Sequence, residues 1–247
     1  MDKYRIRFSK TGRAKYISHL DLLKIFTRMA RRTGLDLVYS QGFNPHAELV
    51  FSAPLPLGMT SEAEYVDMQL EGPANEDELL RMLSGSLPEG ITPLKIRHLE
   101  PGEGNVMRPV AFCRYRMELS FPDAASREIF PEKLRRCLEG NEPIITAKKS
   151  KSGVKNVDIR PLVHSFGEDF CGISECGCVL TAILAAGNEA NLRPEVALRG
   201  ILDKINGVDD AGAEETRENG PDEGRISCEI DRVHKLEYLD GACIPLW

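Results

Sequence analysis

Polar and apolar positions alternate from the start of the chain. Tyr4, Ile6 and Phe8 fall on one side of an extended segment, and Thr11-Gly12 marks a turn after it. Helical spacing takes over at Ser18, a good N-cap, with Asp21 three residues on as the acid of a capping-box-like pair. Leu22, Ile25, Phe26, Met29 and Ala30 then recur on one face. Lys24, Thr27, Arg28, Arg31 and Arg32 repeat that spacing on the opposite face, and Gly34 closes the helix. One face is core; the other is a cationic ridge.

The rest of the first half predicts strands over Leu35–Tyr39, Glu48–Ala53 and Glu64–Leu70, with Pro54–Gly58 as a break. Asn75 caps a short helix through Leu83, and Ile91–Leu99 reads as a last strand. Glu100–Asn105 (EPGEGN) reads as a linker. Beyond it, strands are predicted at Arg114–Ser120, Ile144–Ala147, Gly177–Ala185 and Arg225–Leu239. Helices are predicted at Pro131–Leu138 and from Asn191 to Ile205. The order of elements predicts an α+β chain of two tandem ferredoxin-like (split βαβ) domains with antiparallel sheets, 1–105 and 106–247.

Charge sharpens this picture. Residues 1–47 carry ten basic and three acidic side chains, a net +7 that leaves −13 on the other 200 residues. Seven of the acids sit in Gly207–Gly224, a Gly- and Pro-containing stretch that reads as a flexible surface loop. A concentrated positive region on an acidic protein predicts an anionic partner. No window is apolar enough to span a membrane, and the charged, alternating N-terminus is no secretory signal. With seven scattered cysteines, the chain reads as cytoplasmic.

The loop Tyr39-Ser40-Gln41-Gly42-Phe43-Asn44-Pro45-His46 concentrates recognition chemistry. Tyr39 and Phe43 offer faces for base stacking, Gln41 and Asn44 offer amides for base edges, and His46 offers a phosphate contact. A rigid turn with Phe43 plugging the core is the structural alternative. His19, at the helix start, makes an acid–base pair with His46 only if the fold brings them together. In the second half, Lys149 and Lys151 are candidate phosphate contacts, and Asp158 and Arg160 a candidate pair. Cys171, Cys176 and Cys178 match no common zinc or iron–sulfur spacing, so no metal site is assigned. The chain has no P-loop, dinucleotide fingerprint, G-x-S-x-G or H-E-x-x-H.

Three strings carry a resemblance: Tyr16–Leu22 (YISHLDL), Tyr39–His46 (YSQGFNPH), and Ser52–Gly58 (SAPLPLG) with Ser61 and Glu64. With Asp158–Pro161 and Leu192–Glu195, they resemble a bacterial radical-SAM-linked domain family of unknown function. The resemblance implies action beside a radical-SAM protein, and its gene neighbourhoods imply an RNA substrate. The chain has no radical-SAM domain of its own. The expected function is therefore an accessory, non-catalytic subunit that binds RNA (tRNA or rRNA) in trans. Lys24, Arg28, Arg31, Arg32 and the Tyr39–His46 loop would carry the binding. The iron–sulfur cluster and S-adenosylmethionine are expected on the partner, and no cofactor on this chain. The alternatives are a metal-independent endoribonuclease using His19 and His46, and a protein-interaction subunit without nucleic acid.

Overall fold

The computed structural model describes residues 1–150, 153–167, 171–174, 177–207 and 225–246. It divides into two compact units, Met1–Val110 with His234–Trp247, and Ala111–Val233. The last fourteen residues thus belong to the first unit and not to a 106–247 half. Four α-helices accompany a mostly antiparallel sheet among the described residues, a mixed α+β fold.

Unit 1 begins with β1 (Asp2–Lys10) and a 3-10 turn (Gly12–Tyr16), followed by α1 (His19–Thr33). Next come β2 (Leu49–Phe51), β3 (Thr60–Leu70), α2 (Glu76–Ser84) and β4 (Ile91–His98). The strands lie in the order β4-β1-β3, with β2 on the far side of β3, all antiparallel. Helix α1 starts as its sequence requires: Ser18 Oγ accepts from the Asp21 amide at 3.2 Å and donates to its carboxylate at 2.7 Å. Such a cap is worth about 1 kcal/mol. At the far end Gly34 takes φ +73°, the left-handed conformation a glycine adopts without strain. Leu22, Phe26, Met29 and Ala30 are buried against Tyr4, Ile6 and Phe8 of β1 and Val66, Met68 and Leu70 of β3.

Leu35–Tyr39 is not a strand. The Leu35 amide is spent on the Ala30 carbonyl in the helix cap, and the Leu37 amide on Leu35. Only isolated bridges remain, Leu37 to Leu70 and Tyr39 to Ala47. Glu100–Asn105 is not a slack linker either. Glu103 holds Arg97 with both carboxylate oxygens, and the Gly104 carbonyl accepts from Arg5 at 2.9 Å. These contacts lay the segment over the face of β1 opposite the apolar core. Val106 and Val110, which follow, are buried as well.

Unit 2 contains β5 (Phe112–Ser120), α3 (Ala124–Glu139), and the hairpin β6 (Ile145–Ser150) with β7 (Gly153–Asp158). A 3-10 turn (Arg160–Leu162) leads to β8 (Val163–Phe166), β9 (Cys171–Ser174), β10 (Gly177–Ala185) and α4 (Pro194–Ile205). Strand β10 is central, antiparallel to β5, β8 and β9. Helix α3 starts at Ala124, not at Pro131, because the Asp123 carboxylate caps it through the Ser126 amide at 2.7 Å. Pro131 sits inside it.

The final strand, β11 (Glu229–Leu239), serves both units. Its first residues lie beside β5, with Ser120 donating to Asp231 at 3.0 Å. Its His234 and Lys235 run parallel to Thr60 and Ser61 of β3. No helix among the described residues is long and apolar enough to cross a membrane. The acidic stretch at 208–224 lies outside the described residues.

Candidate functional site

With one face of α1 packed on the sheet, Lys24, Arg28, Arg31 and Arg32 are all exposed. They are not equivalent. The Lys24 ammonium is 3.3 Å from the Asp21 carboxylate, and Arg32 donates to the Ser86 carbonyl. Arg28 and Arg31 form no ion pair among the described residues, so their charge is offered to solvent. Asp21, hydrogen-bonded by Ser18 and Lys24, is held below the usual carboxylate range.

The Tyr39–His46 loop is closed at its neck and open at its tip. The Ser40 amide donates to the His46 carbonyl at 2.9 Å, and Ser40 Oγ accepts from the His46 amide at 3.1 Å. Ser40 Oγ also pairs with His46 Nδ1 at 2.8 Å. Tyr39 is half-buried against the apolar core, so it anchors the neck and does not offer a free ring. Gln41, Phe43 and Asn44 are exposed, and the Phe43 ring is fully so at 105%. Phe43 is therefore no core plug. A fixed neck limits the ordering cost of presenting that ring to a partner.

His19 and His46 do not form a pair. His46 is engaged with Ser40, whereas the His19 ring packs edge-on against Phe51, centroids 5.5 Å apart. No hydrogen bond joins them among the described residues. His19 instead lines a small recess with Lys10, Ser52, Pro54, Leu55 and Glu64. Parts of the first and third signature strings thus meet here.

Lys10 and Glu64 line this recess, and Glu64 is paired with Lys235, which the alternation pattern did not single out. All three are buried, at 1%, 4% and 2% exposure. Lys10 Nζ donates to the Ile17 carbonyl at 2.7 Å. The Lys235 ammonium pairs with Glu64 Oε1 and lies 4.1 Å from the centroid of the Tyr238 ring. The Lys235–Glu64 contact is an ion pair without hydrogen-bond geometry, since Oε1 has no aligned donor. Burial pushes the Lys10 amine down; Glu64 opposes that shift, and Lys235 adds to it. Two buried ammonium groups thus act on one carboxylate, Lys235 as its ion-pair partner and Lys10 through its field.

In unit 2, Asp158 and Arg160 do not pair through their side chains. Asp158 accepts from the Ile144 and Arg160 amides, both at 3.0 Å. The Arg160 guanidinium donates to the Cys137 and Leu138 carbonyls at 2.7 and 3.3 Å, tying down the end of α3. Lys149 is on β6. Lys151 and Cys176 lie outside the described residues, and Cys171 is placed only as the first residue of β9. Cys178 is buried, its thiol pushed up to about 11 by burial. No cluster of three or more His, Cys, Asp or Glu side chains able to hold a metal occurs among the described residues.

Fold and site together define a mixed α+β protein with an exposed basic helix, a fixed loop with an exposed aromatic tip, and a buried ionic recess. The chain belongs to a family of uncharacterized proteins conserved in bacteria (DUF2344), which it matches over residues 3–194. That span covers α1, the loop, the recess residues Lys10, His19 and Glu64, and the segment leading into α4. No curated protein matches the chain.

Proposed function

We propose that the protein is an RNA-binding accessory subunit, built from two ferredoxin-like modules, that presents single-stranded RNA to a radical-SAM enzyme. The strand order β4-β1-β3-β2 with α1 and α2 in the connections supports the ferredoxin-like reading of unit 1. In unit 2, β10 between β5 and β8 supports the same reading. The observation that carries the RNA reading is the fully exposed Phe43 on a hydrogen-bonded neck, flanked by exposed Gln41 and Asn44. A ring held clear of the protein on a fixed neck has both faces open for a base to stack on. Arg28 and Arg31 supply the cationic half of the site and contact phosphates.

The radical-SAM partner rests on the resemblance of the three strings. In this reading the partner carries the cluster and S-adenosylmethionine, and this chain positions the RNA. The ribonuclease alternative gains no support, because His19 and His46 have separate environments.

Titration of a fluorescent single-stranded RNA against salt tests the proposal. Arg28→Ala with Arg31→Ala is expected to weaken binding across sequences and to flatten the log–log salt slope by about 1.4. Phe43→Ala is expected to cost ~1–3 kcal/mol of affinity with the melting temperature unchanged. An unchanged slope in the first variant, or an unchanged affinity in the second, overturns the reading.

A further inference from the structure

Unit 2 contains a cavity of about 440 Å³, within the range of small-molecule sites. It lies between the β6–β7 hairpin, the 3-10 turn after it, and the start of α4. Val157, Ile159, Leu162 and Val196 make its walls apolar. Thr146, Asn191 and Arg193 add polar groups to the lining, the last two at the start of α4.

Two features of the α4 start point to an anionic group. Arg193, exposed, is the N-cap residue of α4 and brings a cation to that end. It also forms no ion pair among the described residues. The Arg193 carbonyl takes the Val196 and Ala197 amides at 3.1 and 3.0 Å, which leaves the Glu195 amide at the open, partially positive end of the helix. Elsewhere in the lining, Thr146 Oγ1 has no hydrogen-bond partner among the described residues and is closed to solvent. An orphaned buried hydroxyl is destabilising unless something supplies its partner. Glu195 is exposed and does not line the cavity.

We propose that this cavity binds a small amphipathic organic anion, its apolar body against Val157, Ile159 and Leu162, and its carboxylate or phosphate at Arg193 and the α4 N-terminus. Rotation of the Thr146 side chain on binding offers its hydroxyl, closed to solvent beforehand, to the ligand. This site is independent of the proposed RNA surface in unit 1. It needs neither nucleic acid nor a partner enzyme.

The test uses the full chain and 8-anilinonaphthalene-1-sulfonate, a fluorescent probe with an apolar body and an anionic head. Saturable binding at one site per chain is expected. Octanoate or octyl phosphate should displace the probe, the stronger competitor identifying the headgroup, while octylammonium should not. Arg193→Gln should weaken binding about tenfold, as loss of a charge-assisted contact does. Val196→Phe, which fills the cavity, should abolish saturable binding with the thermal melt retained. Thr146→Val should bind more weakly without loss of stability, a combination that a purely structural hydroxyl would not give. Equal displacement by octylammonium overturns the proposal, and so does wild-type binding in both Arg193→Gln and Val196→Phe.

Discussion

Glu64→Gln should lose about 3–5 kcal/mol of folding stability, because it leaves two buried ammonium groups without their carboxylate. Urea unfolding at pH 7 measures it. Lys10→Met should do the reverse and leave stability unchanged or raise it, since it removes the surplus cation and keeps the Lys235–Glu64 pair. The sign follows from the amine's environment. Burial holds Lys10 below its ordinary value of 10.5, so the folded chain releases this proton at lower pH than the unfolded chain does. The penalty is fully present below the folded-state value and is relieved as pH climbs to 10.5. Wild-type stability should therefore gain a rising contribution in that window, and Lys10→Met should lack it. Equal losses in Glu64→Gln and Lys10→Met would show that both lysines are ordinary structural partners of Glu64. If Lys10→Met is stable but loses function, the strain at the recess is retained for what the recess does.

The alternation of β1 reveals its core face and conceals its other face. Tyr4, Ile6 and Phe8 are buried as a period-two pattern requires, yet Arg5, Ser9 and Lys10 are buried as well. Local hydrophobicity is silent on this, because the partners are remote along the chain: Asp67 and Gly104 for Arg5, Glu64 and Lys235 for Lys10. The same blindness made Glu100–Asn105 look like a linker: its Gly and Pro content is real, and its hold on Arg5 and Arg97 is not visible along the chain. Capping was legible because it is local. Ser18, Gly34 and Asn75 all cap where their chemistry places them.

The candidate site was legible in the same proportion. Spacing alone separates Leu22, Phe26 and Met29 from Arg28 and Arg31, and the structure places the first group inside and the second outside. Spacing cannot say which cations of the net +7 remain free. Arg5 and Lys10 are buried, Lys24 faces Asp21, and Arg32 reaches Ser86. The ionic recess was invisible for a further reason. It joins residues 10, 64 and 235, and the last arrives through the parallel pairing of β11 with β3. A lysine in a charged strand, KLEY, gives no sign that its ammonium is buried beneath an aromatic ring.

Asp67→Ala is the second change with a large expected effect, again about 3–5 kcal/mol. Arg5 donates to Asp67 through Nε at 2.7 Å and Nη2 at 2.9 Å, a two-pronged pair with Asp67 wholly buried and Arg5 nearly so. Without Asp67 the guanidinium keeps only the Gly104 carbonyl and the more distant Glu103, 3.7 Å away. A buried cation with half its partners removed costs more than the pair contributed. Arg5→Met combined with Asp67→Leu should therefore recover most of the loss, because it removes both charges and fills the space. Equilibrium unfolding of the single and double variants decides between this and a simple packing defect, for which the double variant would be no better than the single. The same pair holds residues 100–105 against the sheet, so Asp67→Ala should also speed hydrogen exchange at the Glu103 amide, bonded at 3.0 Å to the Glu100 carbonyl. If exchange there is unchanged while stability falls, the Arg97–Glu103 pair alone anchors the segment, and Arg5 serves only the sheet.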